Sequence, residues 1–309
     1  NLRKIINLLD LIENEIKSSN YKVIVILNEF GEVGKLICLV SKKNNIPVYF
    51  TPCVGIPNDG SEITPYMSDI INVDGIIDKE FLVKNGVDIN KIYIRGSPKY
   101  ELVLKRENIK IQKLTDIFSN KIYPLFKDKR KILLTINPIP IDSNRVLVNN
   151  VINALKKLEN IQFIIKLHPR QNSEFIRKLV KENNYKAIIV KDVNIFDIIN
   201  SCDILLTQDS AVILDAMIVG IPLISLDLVN KRLYYSGKYN YNDEKYIIKV
   251  YNENELYEKL KLLLNSHKYY NDYKKKLKEN LKSIISYNDE KNYSPTKKIV
   301  SDLIKFYNE

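Results

Sequence analysis

The segment DILLTQDSAVILDAMIVGIPLISLD, residues 203–227, decides the fold. Its apolar run at residues 204–206 is typical of a short buried strand, and Leu223–Leu226 predicts a second strand. Between them, Val212–Val219 predicts a short and mostly buried helix, which Gly220 can end. A strand, a helix and another strand form a βαβ unit, whose two strands must lie parallel in one sheet.

The start of this helix predicts an anion site. Gln208, Asp209 and Ser210 precede the helix, and the unpaired N–H groups of a helix N-terminus attract phosphate. Ser210 can add a hydroxyl donor, and Asp215 can accept hydrogen bonds from a ribose. The alternative is that Asp209 and Ser210 only cap the helix.

Length and composition indicate a soluble α/β protein. The chain has 309 residues, enough for one large or two medium domains, with 45% apolar and 28% charged residues. Its three cysteines, Cys38, Cys53 and Cys202, have neither metal-ligand spacing nor the pattern of a disulfide framework. No apolar run approaches the ~20 residues that span a membrane. We therefore expect a cytoplasmic protein.

The net charge of +11 indicates anionic partners. A nucleotide-activated donor and the anionic inner face of a membrane, bound peripherally, both fit this charge. The excess lies largely in lysines of predicted surface helices, such as residues 274–276, so base composition of the genome is an equal explanation. The sequence contains no recognisable nucleic-acid-binding module, and we expect no nucleic-acid partner.

Strands and helices alternate along both halves of the chain, which predicts two doubly wound domains, residues 1–125 and 126–309. In the first half the sequence predicts a helix at 2–18 and strands at 22–27, 46–50, 73–78 and 91–95. In the second half it predicts strands at 132–136, 163–167, 187–190, 204–206, 223–226 and 246–250, with helices between and after them. Ligand sites are expected where the strands end.

Two loops of the first half are candidate ligand loops, although neither matches a known phosphate-binding pattern. The first strand is followed by Asn28, Glu29, Gly31 and Lys35, and glycines before a helix let backbone N–H groups approach a ligand. A long loop at residues 51–66 carries Asp59 and Glu62, for which plain turn chemistry is the alternative.

His168 is the main candidate for chemistry. It ends a strand, it is flanked by Lys166 and Arg170, and a histidine there can bind phosphate or transfer a proton. Packing at the strand end is the alternative. The other histidine, His267, lies in a predicted surface helix and is expected to have no special role.

The run KLHPR at residues 166–170, followed by residues 201–227, resembles the C-terminal half of GT-B glycosyltransferases with a KxHP motif. These include CDP-glycerol glycerophosphotransferase-like enzymes, capsule and surface-polysaccharide transferases and bacterial sialyltransferases. The non-hydrolysing UDP-GlcNAc 2-epimerases share this architecture. Residues 28–50 and KIYIRGSPKYE, residues 91–101, resemble parts of the N-terminal half.

The resemblance implies a GT-B-like fold, with two Rossmann-like domains, a cleft between them and C-terminal helices that pack back across the hinge. It implies a donor site for a nucleotide-activated sugar, without metal or other cofactor, at His168, Arg170, Gln208, Asp209, Ser210, Asp215, Gly96 and Ser97. The acceptor side of the cleft would include Asn28, Glu29, Gly31, Lys35 and Glu62.

One departure from the pattern affects catalysis. Many relatives carry Gln-His-Gly where this sequence has Cys53-Val54-Gly55, and valine cannot transfer a proton. Asp59-Gly60 is similar to the acidic-Gly motif of bacterial sialyltransferases. We therefore expect Asp59, or else Glu29 or Glu62, to deprotonate the acceptor, while His168 stabilises the departing phosphate.

The sequence thus predicts a metal-independent, inverting glycosyltransferase of surface-polysaccharide or glycoconjugate synthesis with a glycan or lipid-linked acceptor. Three alternatives stay open. They are a CDP-glycerol-type polyol-phosphate transferase, a UDP-GlcNAc 2-epimerase-like enzyme, for which the acidic and histidine set is not recognisable here, and a non-catalytic protein that binds nucleotides or glycans.

Overall fold

The structure, a computed structural model, describes residues 2–53, 55–58, 65–104, 128–229, 239–286 and 293–308. In chain order its helices and strands are α1 Leu2–Ser18, β1 Ile24–Ile26, α2 Glu32–Lys43, β2 Val48–Phe50, β3 Ile70–Val73, α3 Ile76–Lys84, β4 Ile92–Ile94, α4 Pro98–Leu104, β5 Arg130–Ile136, α5 Ile141–Lys156, β6 Ile161–Leu167, α6 Ser173–Glu182, β7 Ala187–Val190, α7 Ile195–Asn200, β8 Ile204–Thr207, α8 Val212–Val219, β9 Leu223–Leu226, β10 Ile248–Val250, α9 Glu253–Asn265, α10 His267–Ile284 and α11 Pro295–Asn308. No helix in these described ranges is long and apolar enough to cross a membrane.

The chain divides into two compact units. Unit 1 comprises residues 1–107 and 282–309, and unit 2 comprises residues 108–281. The sequence-based division placed residues 126–309 in one domain, whereas the structure assigns the last 28 residues of the chain, 282–309, to unit 1. The reason lies in long-range hydrogen bonds, which no local sequence pattern indicates.

Unit 1 contains a four-stranded sheet in the order β1-β2-β3-β4, with every pairing parallel. The predicted strand at residues 73–78 is wrong, because β3 ends at Val73 and α3 begins at Ile76. Gly75 lies between them, and a Cβ atom there would be 2.2 Å from the carbonyl oxygen of Ile284. The backbones approach so closely at this turn that a side chain at position 75 has no room.

The C-terminal segment, residues 282–308, completes unit 1. The backbone N–H of Ser286 donates to the carbonyl of Asp74 at 2.6 Å. The Tyr293 hydroxyl donates to the carbonyl of Arg95 at 3.1 Å. The Arg95 guanidinium in turn donates two hydrogen bonds to the carboxylate of Asp302 in α11, at 2.7 and 3.0 Å. These bonds hold the end of the chain against the carboxyl ends of β3 and β4.

Unit 2 contains a six-stranded parallel sheet in the order β10-β9-β8-β5-β6-β7. The chain moves outward from β5 to β7, returns to β8 beside β5, and then continues outward to β10. This is the strand order of the doubly wound Rossmann fold, and its direction reverses between β5 and β8. The predicted β8–α8–β9 unit is confirmed, and Gly220 ends α8 with a φ of +80°.

Candidate functional site

The carboxyl edge of the unit 2 sheet brings polar residues together where the strand order reverses. Asn137 follows β5, His168 follows β6, and Gln208 and Asp209 follow β8. The Asn137 side chain donates to the carbonyl of Asp209 at 3.0 Å, and Gln171 donates to the carbonyl of Asn137 at 2.6 Å. Open α/β sheets bind ligands in the crevice at this kind of reversal, so we take this edge as the candidate site.

His168 is held there as a neutral donor. Its Nδ1 accepts a hydrogen bond from the backbone N–H of Arg170 at 3.1 Å, which assigns the proton of the neutral ring to Nε2. Partial burial and the positive charges of Arg170 and Lys166 lower the pKa of His168 below its usual value. Near neutral pH the ring therefore offers an Nε2–H group to a phosphate or a base.

The start of α8 combines capping with a possible anion contact. Ala211 is the N-cap and makes no side-chain cap bond, while the Ser210 hydroxyl accepts from the backbone N–H of Val212 at 3.4 Å. That weak bond gives the capping interpretation partial support. The residues on either side are enclosed, since Gln208 and Asp215 are both 2% exposed. Ribose binding by Asp215 stays a prediction.

Asp209 contacts a segment that sequence reasoning missed. Its carboxylate accepts from the backbone N–H of Tyr239 at 3.3 Å and from the side chain of Asn242. The rings of Tyr239 and Tyr241 stack at 5.1 Å between centroids with 5° between their planes. Burial raises the pKa of Asp209 to about 6. This segment neither ends a strand nor matches a motif, so the sequence carries no signal for it.

In unit 1, Glu29 and Asn28 organise the loops after the strands. The buried Glu29 carboxylate accepts from the backbone N–H and hydroxyl of Ser68 and from the backbone N–H of Met67. Asn28 accepts from the backbone N–H groups of Phe30 and Gly31, at 2.9 and 3.2 Å. Because both Glu29 oxygens hold the loop, the geometry gives this residue a structural role. The predicted acceptor contacts of Asn28, Glu29, Gly31 and Lys35, which lies in α2, stay untested.

Gly34 lets α2 pack closely on the loop after β1. A Cβ atom at Gly34 would lie 2.0 Å from the carbonyl oxygen of Asn28, whereas one at Gly31 meets nothing nearer than 4.0 Å. We expect Gly34→Ala to lower the free energy of unfolding of unit 1 by about 1–3 kcal/mol, since the helix must shift. Gly31→Ala is the matched control and is expected to change it by less than about 0.5 kcal/mol. Urea unfolding followed by circular dichroism measures both, and equal effects would contradict this role.

Gly96 and Ser97 lie beneath the C-terminal segment of unit 1. Gly96 has a φ of +78°, and a Cβ atom there would be 2.9 Å from the carbonyl oxygen of Ser286. Ser97 is 3% exposed. The structure thus gives Gly96 a part in docking this segment, and the phosphate contact of Gly96 and Ser97 stays a prediction.

Three residues that the sequence singled out, Val54, Asp59 and Glu62, lie outside the described residues. The described ranges contain no group of three or more His, Cys, Asp and Glu side chains placed to hold a metal ion. Independence of metal stays a prediction.

Solved structures share this fold across nearly the whole chain. UDP-GlcNAc 2-epimerase from Neisseria meningitidis bound to UDP-GlcNAc has a TM-score of 0.67 at 14% identity, covering 97% of this chain and 81% of that one. The S. aureus MnaA-UDP co-structure has a TM-score of 0.66 at 14% identity, covering 98% and 79%. A glycosyltransferase from Rickettsia africae has a TM-score of 0.59 at 16% identity, covering 100% and 82%. The protein therefore has the two-domain GT-B fold.

Sequence comparison identifies the family. No curated protein matches the chain, but the family model for UDP-N-acetylglucosamine 2-epimerase matches residues 62–280. The matched stretch includes His168 and all of residues 203–227. The predicted GT-B superfamily is thus confirmed, and the matching family is one that the sequence analysis kept as an alternative. This chain belongs to the UDP-N-acetylglucosamine 2-epimerase family.

Proposed function

We propose that this protein binds a UDP-linked N-acetylhexosamine at the carboxyl edge of the unit 2 sheet and interconverts its C2 epimers. The family match over residues 62–280 carries this proposal. Two of the similar structures, those of S. aureus MnaA and the Neisseria meningitidis epimerase, contain UDP and UDP-GlcNAc respectively. The reversal between β5 and β8 supplies a crevice suited to a nucleotide.

The residues at this edge suit a diphosphate. The N–H groups at the start of α8 and the hydroxyl of Ser210 would bind the phosphates, helped by the positive charge of Arg170. His168 would donate its Nε2–H to a phosphate oxygen. Asp215, which is 2% exposed, would accept a hydrogen bond from the ribose.

Epimerisation needs no acceptor, so incubation with the nucleotide sugar alone distinguishes an epimerase from a transferase. Inversion at C2 exchanges the hydrogen on that carbon for one from solvent. Incubating the protein with UDP-GlcNAc in D₂O should therefore give the C2 epimer and deuterium at C2, both visible by NMR. An unchanged sugar without deuterium would contradict epimerase activity.

We expect His168→Ala to lower kcat/KM for this reaction about a hundredfold, since it removes a donor to the phosphate. The matched control is His267→Ala, because His267 begins the surface helix α10 and should leave kcat/KM unchanged. Equal activity of the two variants would exclude a role for His168 at the site.

A glycosyltransferase is the second candidate. It is favoured by the KLHPR run and by the fold shared with the Rickettsia africae glycosyltransferase over all of this chain. In this case UDP would be released only when a glycan or lipid-linked acceptor is supplied, and C2 would gain no deuterium.

A further inference from the structure

Asp209 places a carboxyl group at an edge that is otherwise built for anions. Asp209 is the second residue after β8 and stands three residues before Val212, the first residue of α8. Consecutive Cα atoms are about 3.8 Å apart, so three residues span at most roughly 11 Å, and Asp209 lies within that reach of the N–H groups that would receive a diphosphate. An ionised Asp209 would repel that ligand.

The surroundings of Asp209 favour its neutral form. Burial is the largest influence and raises its pKa to about 6, with Asp227 after β9 acting in the same direction. The hydrogen bonds from Asn242 and Tyr239 and the positive charge of Lys249 in β10 act against this. A bound diphosphate adds negative charge, which raises the pKa of a nearby carboxyl further. A bound diphosphate and burial thus both raise the pKa of Asp209.

A second feature of the same edge is a buried acceptor. Gln208 is 2% exposed, and its Oε1 accepts no hydrogen bond from any residue that the structure describes. Buried acceptors are normally paired, so a hydroxyl or N–H donor of a ligand, or a water molecule, is expected at this atom.

We propose that Asp209 takes up a proton from solvent when a nucleotide diphospho-sugar binds beside the start of α8, so that binding is tighter at mildly acidic than at alkaline pH. The neutral carboxyl then no longer repels the phosphates and can donate its O–H to them. This inference rests on the proposed function, since it concerns the same donor site.

His168 is another titratable group of this edge, and it lies between the cations Lys166, on β6, and Arg170, which follows β6. Its protonation would also favour an anion. Its pKa is lowered from the usual value, however, and its contribution can be removed separately by substitution. The test must therefore compare variants of both residues.

Calorimetric titration with UDP-GlcNAc provides the test. Each phosphorus of this ligand carries one ester bond and the shared anhydride bond, so both groups stay ionised near neutral pH, whereas the terminal phosphate of UDP takes up a second proton in that range. Run near pH 7 in two buffers with different ionisation enthalpies, the titration should show uptake of a substantial fraction of one proton per site. Between about pH 6 and 8 the Kd should rise with pH, by at most tenfold per pH unit for one proton.

Variants of Asp209 and His168 show which of the two residues takes up the proton. Asp209→Asn should bind without proton uptake and with a Kd that is flat in pH, whereas His168→Gln should bind more weakly but keep the uptake. Asp243→Asn is the matched control, because its exposed carboxylate lies in the same segment and accepts from the backbone N–H of Lys245 at 2.9 Å. It should behave like the wild type. If Asp209→Asn does not fold, Asp209→Glu should retain the uptake.

The two proposals fail in different ways. Wild-type protein that binds UDP-GlcNAc at no pH would overturn the proposed function and this inference with it. Binding without proton uptake, or uptake that persists in Asp209→Asn or disappears in His168→Gln, would overturn this inference and leave the proposed function standing.

Discussion

Asp302→Ala is expected to lower the free energy of unfolding of unit 1 by about 3–5 kcal/mol, the usual loss when one partner of an enclosed ion pair is removed. The Asp302 side chain is 7% exposed and that of Arg95 is 24% exposed. Alanine would leave the Arg95 guanidinium without its two carboxylate bonds, and the Tyr49 hydroxyl would lose its acceptor. Because Arg95 keeps some contact with solvent, the lower end of that range is expected.

Hydrogen exchange of peptides from β2, β3 and β4 measures this loss within unit 1. Lys305→Ala is the control, since Lys305 is exposed on the same helix α11 and should change stability by less than about 0.5 kcal/mol. A loss below about 1 kcal/mol for Asp302→Ala would place the pair among surface ion pairs and would contradict its role in docking α11.

The stability of unit 1 is expected to fall as the pH rises from about 4 to 8. Burial raises the pKa of Asp74 to about 8, and the neighbouring Asp78 adds to this while Lys99 opposes it. The folded state therefore holds a proton that the unfolded chain has released, so the stability is full below the unfolded pKa of about 4 and is lost as pH rises towards 8. The loss from this one group is at most about 1.4 kcal/mol per pH unit.

Asp74→Asn isolates this effect, because asparagine stays neutral at every pH. The difference in unfolding free energy between variant and wild type, from urea unfolding at pH 5, 6, 7 and 8, should grow in favour of the variant as pH rises. The subtraction cancels other titrating groups, including Asp209. A difference that does not change with pH would show that Asp74 is ionised in the folded protein.

Local patterns in the sequence predicted most of unit 2. The bounds of β8, α8 and β9 follow from two apolar runs with Gly220 between them, all within 25 residues. The rule that ligands gather at strand ends also placed His168 and residues 208–210 on one edge, which the sheet order confirms. The same rule applied to β5 would have added Asn137, which the sequence analysis passed over.

What the sequence did not predict depends on distant contacts. The resemblance implied that the C-terminal helices pack back across the hinge, but not the bonds that fix residues 282–308 to unit 1, such as Arg95–Asp302, whose partners are 207 residues apart. Tyr239–Asp209 is a loop contact without a pattern. The sequence alone also favoured a transferase over an epimerase. The donor-binding half resembles both kinds of enzyme, in KLHPR and in the helix after β8, so it does not distinguish them.

The discontinuous course of unit 1 has a consequence for its synthesis. Asp302 leaves the ribosome about 10–40 s after Arg95, at 5–20 residues per second over 207 residues. Unit 2 is contiguous, so it can fold on the nascent chain while unit 1 still lacks the segment that covers β3 and β4. Of the two units, unit 1 is therefore the later to become native, and a premature stop between residues 281 and 302 would damage it even though residues 1–107 are already made.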